Sequence, residues 1–411
     1  MQITVTCTVS IADELIDINV LEAEIREAGQ RVMAEMMGQA WQQYQTLAPD
    51  CGRCQSEHTV GDGTRLYRLR TVFGIVELQR QRRRCRDCRA VYQPSDEVLR
   101  AAGPGRATAG LVEAAVLAGS SWPFVTAADV LKRLSGASVS PEWIRWVSEA
   151  QGAVLGQQQA DEAEALHAGE VPLPQVDPAP EQLLLELDGG WVCSQDNARG
   201  MEGKVAVLAT GREQIGRNRW RLTGRRYVAR FQPSEPFGVQ VFAAAAEQGV
   251  AQADRVVVLG DGAEWITSIT DMYLPEAERR LDLWHLLKRS SEAVAAEDLT
   301  DEMAATLRTE LNTLLRRGAV AEAEALVAEH LSGMVAQAFG GYLHNQRDWI
   351  VDAETLRANG ELVGSGAVEK AVDLVLNRRF KGRRGMRWWR VNADAITVLR
   401  TRILNNEPLA A

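Results

Sequence analysis

At 411 residues, with 46% hydrophobic and 25% charged residues, the chain has an ordinary globular composition and the length for two to four domains. No apolar run is long enough to span a bilayer, and the first residues lack the basic-then-apolar form of a secretory signal, so no membrane role and a cytoplasmic location are expected. The net charge of −9 argues at first against a nucleic-acid partner, yet the basic residues are bunched: 11 arginines against four acids between Arg65 and Arg106, and ten basic residues against two acids between Lys370 and Arg402. Two such blocks in an acidic body fit a chain that holds DNA while its other faces stay soluble. Two solvated arginine-rich faces are the plainer alternative.

Residues 1–48 read as an N-terminal helical segment. Strong helix formers run from Ile18 to Leu47, broken only by Gly29 and Gly38, and would pack on the next module or on a second subunit. In residues 49–96, Cys51-Gly-Arg-Cys54 and Cys85-Arg-Asp-Cys88 each have the two-residue spacing that turns both thiolates of a knuckle toward one tetrahedral metal. Between them an alternating stretch with Gly74 near its middle predicts a hairpin. The layout is that of a zinc ribbon with structural Zn2+; a redox pair or a disulfide framework would suit an oxidising compartment that nothing in the chain suggests. Cys7 and Cys193 have no partner at ligand spacing and are expected to be buried thiols. Arg82, Arg83 and Arg84, on the hairpin, are candidate DNA contacts.

Residues 97–160 form a helical, helix-turn-helix-like region. In TAADVLKRLSGASVSPEWIRWVSEA, Ser140 is the expected N-cap and Pro141 the first helical residue. A DNA-reading helix would present Glu142 and Arg145 to the major groove, whereas an ordinary bundle would bury Trp143, Trp146 and Val147. Residues 161–181, acidic and then proline-rich, read as a linker and a domain boundary.

Beyond it, strands are predicted at Leu183–Asp188, Lys204–Thr210, Arg226–Phe231, Arg255–Gly260 and Arg279–Leu283, with a helix over Pro236–Gln248. Asp188 and Asp261 each follow an apolar run and precede glycine, as carboxylates at a sheet rim would, and such a pair repels unless divalent cations neutralise it. Two ions about 3.5–4 Å apart can activate one oxygen and stabilise another in phosphoryl displacement. Glu369, opening a helix after Gly364-Ser-Gly366, is the third acid. Residues 286–362 read as helices inserted between 182–285 and 363–411, the two parts of the core. The tail NRRFKGRRGMRWWR offers Arg378, Arg379, Lys381, Arg383, Arg384 and Arg387 to phosphates. Trp388 and Trp389 either stack on bases or belong to the core.

LDGG, VLGDGAEWI, LDLWH, GSGAVEK and this tail, in that order behind a cysteine ribbon, resemble bacterial insertion-sequence transposases of the DDE type, nearest the ISKra-type group and related to the Mutator-like superfamily. The resemblance implies an α+β multidomain chain: a zinc ribbon and helical DNA-binding region, then a ribonuclease H-like α/β catalytic core with a helical insertion. It implies that Asp188, Asp261 and Glu369 bind two Mg2+ (or Mn2+) ions. His285, in Asp282-Leu-Trp-His285, would stand beside them; a satisfied core histidine is the alternative. The implied partners are transposon-end and target double-stranded DNA and a second copy of the chain, with water and then a 3′-hydroxyl as nucleophile. A zinc-ribbon DNA-binding protein without catalysis, and a nuclease or resolvase that cuts without joining, are the competing readings.

Overall fold

The structure, a computed structural model, describes residues 3–7, 17–46, 50–100, 102–216, 219–382 and 385–409. Arg383 and Arg384 lie outside the described residues. The chain forms two compact units, residues 1–151 and 152–409. No helix among the described residues is long and apolar enough to cross a membrane.

The first unit holds α1 (Ile18–Thr46), β1 (Thr59–Thr71), β2 (Gly74–Cys85), β3 (Val91–Tyr92), α2 (Asp96–Arg100), α3 (Ala109–Ser121), α4 (Phe124–Ser135) and the start of α5 (Pro141–His167). β1 and β2 pair antiparallel down to Thr71↔Gly74, and Gly74 supplies the positive φ the tight turn needs. One face of the hairpin buries Tyr67, Leu69, Val76 and Leu78 against Trp41 of α1 and Leu99 of α2, and the Trp41 indole donates to the Gln79 carbonyl at 2.8 Å. Ser140 Oγ accepts the Trp143 N–H at 3.2 Å, capping α5. That helix runs seven residues into the expected 161–181 linker, because Asp161-Glu-Ala-Glu-Ala-Leu-His167 is built of helix formers. The break between the compact units falls inside the same helix.

The second unit is built on one five-stranded sheet: β4 (Gln182–Val192), β5 (Met201–Gly216), β6 (Arg219–Arg230), β7 (Arg255–Gly260) and β8 (Glu278–Leu281), in the order β6-β5-β4-β7-β8. β4, β5 and β6 pair antiparallel; β7 joins β4, and β8 joins β7, in parallel. α6 (Ser234–Glu247) and α7 (Glu264–Tyr273) connect the later strands. Central β4 is buried on both faces, which explains its almost unbroken apolar run. Leu183, Leu185 and Leu187 join Phe237 and Val241 of α6 and Ile266 of α7, while Leu184 turns the other way, toward Leu362 and Ala367. β4 does not stop at Asp188, as the glycines suggested. Gly189 and Gly190 keep pairing with β5, and the strand runs on to Val192.

After β8 come α8 (Leu283–Ala295), α9 (Asp301–Arg316), α10 (Val320–His330), α11 (Met334–Asn345) and α12 (Ala353–Ala358). Their inward residues, among them Leu311, Val327 and Phe339, merge into the same core as the sheet. α13 (Gly366–Val372) passes through a π turn (Asp373–Asn377) into α14 (Arg378–Phe380), and α15 (Arg390–Leu404) comes last. The wide turn is held open by Arg400 of α15, which donates to the Leu374 and Val375 carbonyls. Leu376 of that turn lies flat on the sheet. A Cβ on Gly203 would meet it at 2.9 Å and Phe231 at 2.9 Å. Gly203→Ala is therefore expected to destabilise the protein by about 1–3 kcal/mol, read as a lowered urea midpoint.

Candidate active site

Parallel pairing fixes where the first two acids stand. The register runs from Gln182↔Arg255 to Glu186↔Leu259, so two residues further on Asp188 is level with Asp261, the first residue past the end of β7. Asp188 Oδ1 accepts its neighbour Gly189 N–H at 2.7 Å, and Asp261 Oδ1 accepts the Ala263 N–H at 2.9 Å. Burial pushes the Asp188 carboxyl up to about 6; the Gly189 N–H opposes this, the charge of Asp261 adds to it, His285 opposes it and Glu369 adds to it. Asp188 thus feels the charges of Asp261, His285 and Glu369 together. The turn carrying Asp261 is clamped from the helical block. The Tyr342 hydroxyl donates to the Asp261 carbonyl at 2.8 Å and Gln346 Nε2 to the Gly262 carbonyl at 3.1 Å, while the Arg289 guanidinium lies 4.4 Å above the Tyr342 ring.

Glu369 sits in the first turn of α13, three residues inside the helix rather than at its opening. Two buried carboxylates hold this end of the helix: Asp282, the first residue of the Asp282-Leu-Trp-His285 motif, and Glu186, which the sequence reading did not single out. Asp282 caps α8 by accepting the His285 N–H at 2.9 Å, and its other oxygen accepts the Ser365 N–H at 2.6 Å and hydroxyl at 2.8 Å. Glu186 accepts the Ala367 and Val368 N–H groups, both at 2.9 Å. Burial pushes the Glu186 carboxyl up to about 7, against the pull of those two N–H groups. His285 Nε2 then lies 3.8 Å from Glu369 Oε1, with the half-exposed Trp284 ring edge-on to the imidazole.

Among the described residues no arginine or lysine forms an ion pair with Asp188, Asp261 or Glu369. Three clustered acids without a cationic partner suit divalent cations, which favour oxygen donors. Their oxygens are not drawn around a single point as the cysteine sulfurs are; a two-ion arrangement spans a wider set of donors.

In the first unit, Cys51 and Cys88 sulfurs are 3.6 Å apart, as are those of Cys54 and Cys85, and all four lie within 4.8 Å of one another. A tetrahedral Zn2+ with Zn–S near 2.3 Å sets its sulfurs about 3.8 Å apart, so the donor set fits that ion. The backbone N–H of Cys88 leads in lowering Cys85 to about 6; Cys54 rises to about 12, the pull of the Ser56 N–H being outweighed by Cys88, burial and Cys85. A bound cation is what lets four thiolates coexist in so small a space.

The proposed phosphate contacts divide. Arg82 and Arg84 are paired with Asp62 at 2.9 and 3.2 Å, and Arg83 Nε donates to Thr59 at 3.0 Å, so all three brace the hairpin. Arg378 is exposed and paired with Asp373 at 3.0 Å, while Lys381 and Arg387 are exposed. Arg379 must be withdrawn: it is 1% exposed, with its guanidinium 4.7 Å over the Trp388 ring, and so faces the core. Trp388 is buried and Trp389 is 49% exposed, so the adjacent indoles have opposite surroundings. Arg145 is exposed beside Trp146, which is 52% exposed rather than core; Trp143 and Val147 are buried. Cys7 and Cys193 are exposed, not buried; Cys193 lies just past the end of β4.

Removing zinc with a chelator, or replacing Cys85 with Ser, is expected to unfold the hairpin, since such sites contribute about 10–16 kcal/mol of apparent binding energy; zinc release and loss of β-structure in circular dichroism would report it. A second outcome concerns pH. The Asp188 carboxyl is raised on folding, so it costs nothing below about pH 4 and its penalty is complete above pH 6. Asp188→Asn should stabilise the protein in magnesium-free buffer by about 1–3 kcal/mol at pH 8, a gain that shrinks as the pH falls toward 4. Thermal melts at both pH values decide it.

No curated protein matches the sequence. Among solved structures, a Drosophila P element transposase strand transfer complex is similar at 9% identity and a TM-score of 0.23, over 72% of this chain and 78% of that one. A family model described as Uncharacterised protein family (UPF0236) matches residues 11–334. That match spans well over half of the sequence, and the chain belongs to the UPF0236 family.

Proposed function

We propose that this protein is a DNA transposase of the DDE type, close to the ISKra group, with Asp188, Asp261 and Glu369 as its metal-binding acids. What supports the reading is that Asp188, level with Asp261 by strand register, feels the charges of Asp261, Glu369 and His285, residues up to 181 positions apart, and that among the described residues no arginine or lysine is paired with the three acids. Their setting supports a ribonuclease H-like core: three antiparallel strands, then two parallel ones, in the order third-second-first-fourth-fifth. Two Mg2+ or Mn2+ ions on the acids would activate a water or a 3′-hydroxyl and stabilise the departing oxygen.

The chain's own residues do the rest. The strand register sets Asp188 level with Asp261, and in this reading the half-exposed carboxylate of Glu369 completes the set. His285, within reach of Glu369, steadies that carboxylate and is free to turn toward a phosphate. Arg378, Lys381, Arg387 and Trp389 supply exposed charge and a stacking face for DNA, while Arg145 and Trp146 do so from the first unit. The cysteine cluster, with Zn2+, stiffens the ribbon. A homodimer in the cytoplasm, handling two transposon ends at once, completes the reading.

A binder without catalysis would have no use for unpaired, mutually repelling acids, which is why it ranks second. DNA flanking the gene supplies candidate ends for the test. Purified full-length protein with Mg2+ should nick such ends and transfer them to a second duplex. Asp188→Ala or Asp261→Ala should lower both products by about 10³-fold or more while leaving DNA retention in gel shifts within about threefold. Undiminished cleavage by either variant would overturn the assignment; cleavage without transfer would point to a nuclease or resolvase.

A further inference from the structure

Leu184, Glu186, Asp188 and Gly190 share one face of β4, and the segment from Leu362 to Leu376, which carries Glu369, runs along that face. Leu184 packs with Leu362 and Ala367; Glu186 accepts from Ala367 and Val368; a Cβ on Gly190 would meet Val372 at 3.1 Å and Leu376 at 2.9 Å. Asp188 lies on β4 between the second and third of these points, as Glu369 lies on the helix between Val368 and Val372. Of these contacts only the one at Glu186 is polar and directional. A single oxygen, Oε2, takes both N–H groups at 2.9 Å, and the side chain is 1% exposed.

The rest of the approach is tethered at its far end. Arg212 donates to the Gly360 carbonyl at 2.6 Å, Arg280 to the Leu362 carbonyl at 2.8 Å, the Leu283 N–H to the Val363 carbonyl at 3.2 Å, and Asp282 takes Ser365. These bonds fix residues 360–365, upstream of the helix; the helix itself meets the sheet through apolar contacts, which are not directional, and through Glu186. Among the described residues, the hydrogen bonds that tie α13 to the strand bearing Asp188 are those at Glu186. A shift of about 1 Å in a metal-ligand carboxylate is enough to spoil its site.

We infer that Glu186 is a positioning residue, whose buried oxygen pins the first turn of α13 to β4 and thereby sets Glu369 opposite Asp188. The inference rests on the proposed reading of the carboxylates. It requires reach rather than charge: an oxygen at that distance must accept two N–H groups. Glutamine keeps the reach and loses the charge, whereas aspartate keeps the charge and falls one methylene short.

The test uses the full-length, zinc-loaded chain and titrates Mn2+, following the free ion by electron paramagnetic resonance. Supporting partners of metal ligands typically contribute 10–100-fold in affinity. E186Q should bind Mn2+ within about threefold of wild type, and E186D should lose about tenfold or more, with both variants giving the wild-type circular dichroism spectrum. The opposite ranking, or E186D binding like wild type, overturns the inference by making Glu186 a charge in the site or a bystander. E186A, if it folds, should match E186D; if it does not, the glutamine and aspartate variants still decide. D188A serves as the separate control: wild-type Mn2+ affinity in that variant removes the carboxylate site itself, a failure distinct from that of the tether.

Discussion

The second unit depends on a repulsion held in place. Asp188 and Asp261 stand at one level because β4 and β7 pair in parallel, and β7 ends one residue before its acid. Leu183, Leu185 and Leu187 bury one face of β4 in the main core, so the strand cannot slip by a residue without turning those leucines out. Each such side chain contributes about 1.5–3 kcal/mol by burial. The three together, about 4.5–9 kcal/mol, exceed the roughly 3 kcal/mol that raising one carboxyl by about two pH units costs. The apolar core thus keeps together charges that would otherwise separate.

The same logic governs the surrounding supports. The Asp261 turn is held through backbone carbonyls by Tyr342 and Gln346, so its own carboxylate stays available. Glu369 is positioned through the N–H groups of its helix, and its side chain also stays available. Framework bonds are made by main chain, by Tyr342 and Gln346 and by buried acids, while among the described residues each rim acid keeps a carboxylate oxygen outside them. In the first unit the cysteine sulfurs behave differently: they are gathered around a single point, as a closed structural site requires.

The range of each interaction decided how legible it was in the sequence. Strand positions, the hairpin and the two cysteine knuckles are written in local pattern and spacing, and they stand close to where those patterns put them. Glu186 was not legible as a support, because its partners are 181 and 182 residues away; an acid buried in Leu-Leu-Leu-Glu-Leu was the one hint. Arg379 misleads for another reason. The π turn inserts an extra residue per turn and so rotates the residues after it, and a side chain expected outside points inward onto Trp388. Trp146 misleads because residue type was weighed above position: Trp143, Ile144 and Val147 occupy the inner face of α5, and 146 falls outside it.

The strap from Gly360 to Val368 has a consequence for biosynthesis. It docks onto a strand made almost two hundred residues earlier, so β4 must wait, partly uncovered on that face, while the helical block is translated. A growing chain that has passed Asp261 but not Glu369 holds two acids and lacks the third.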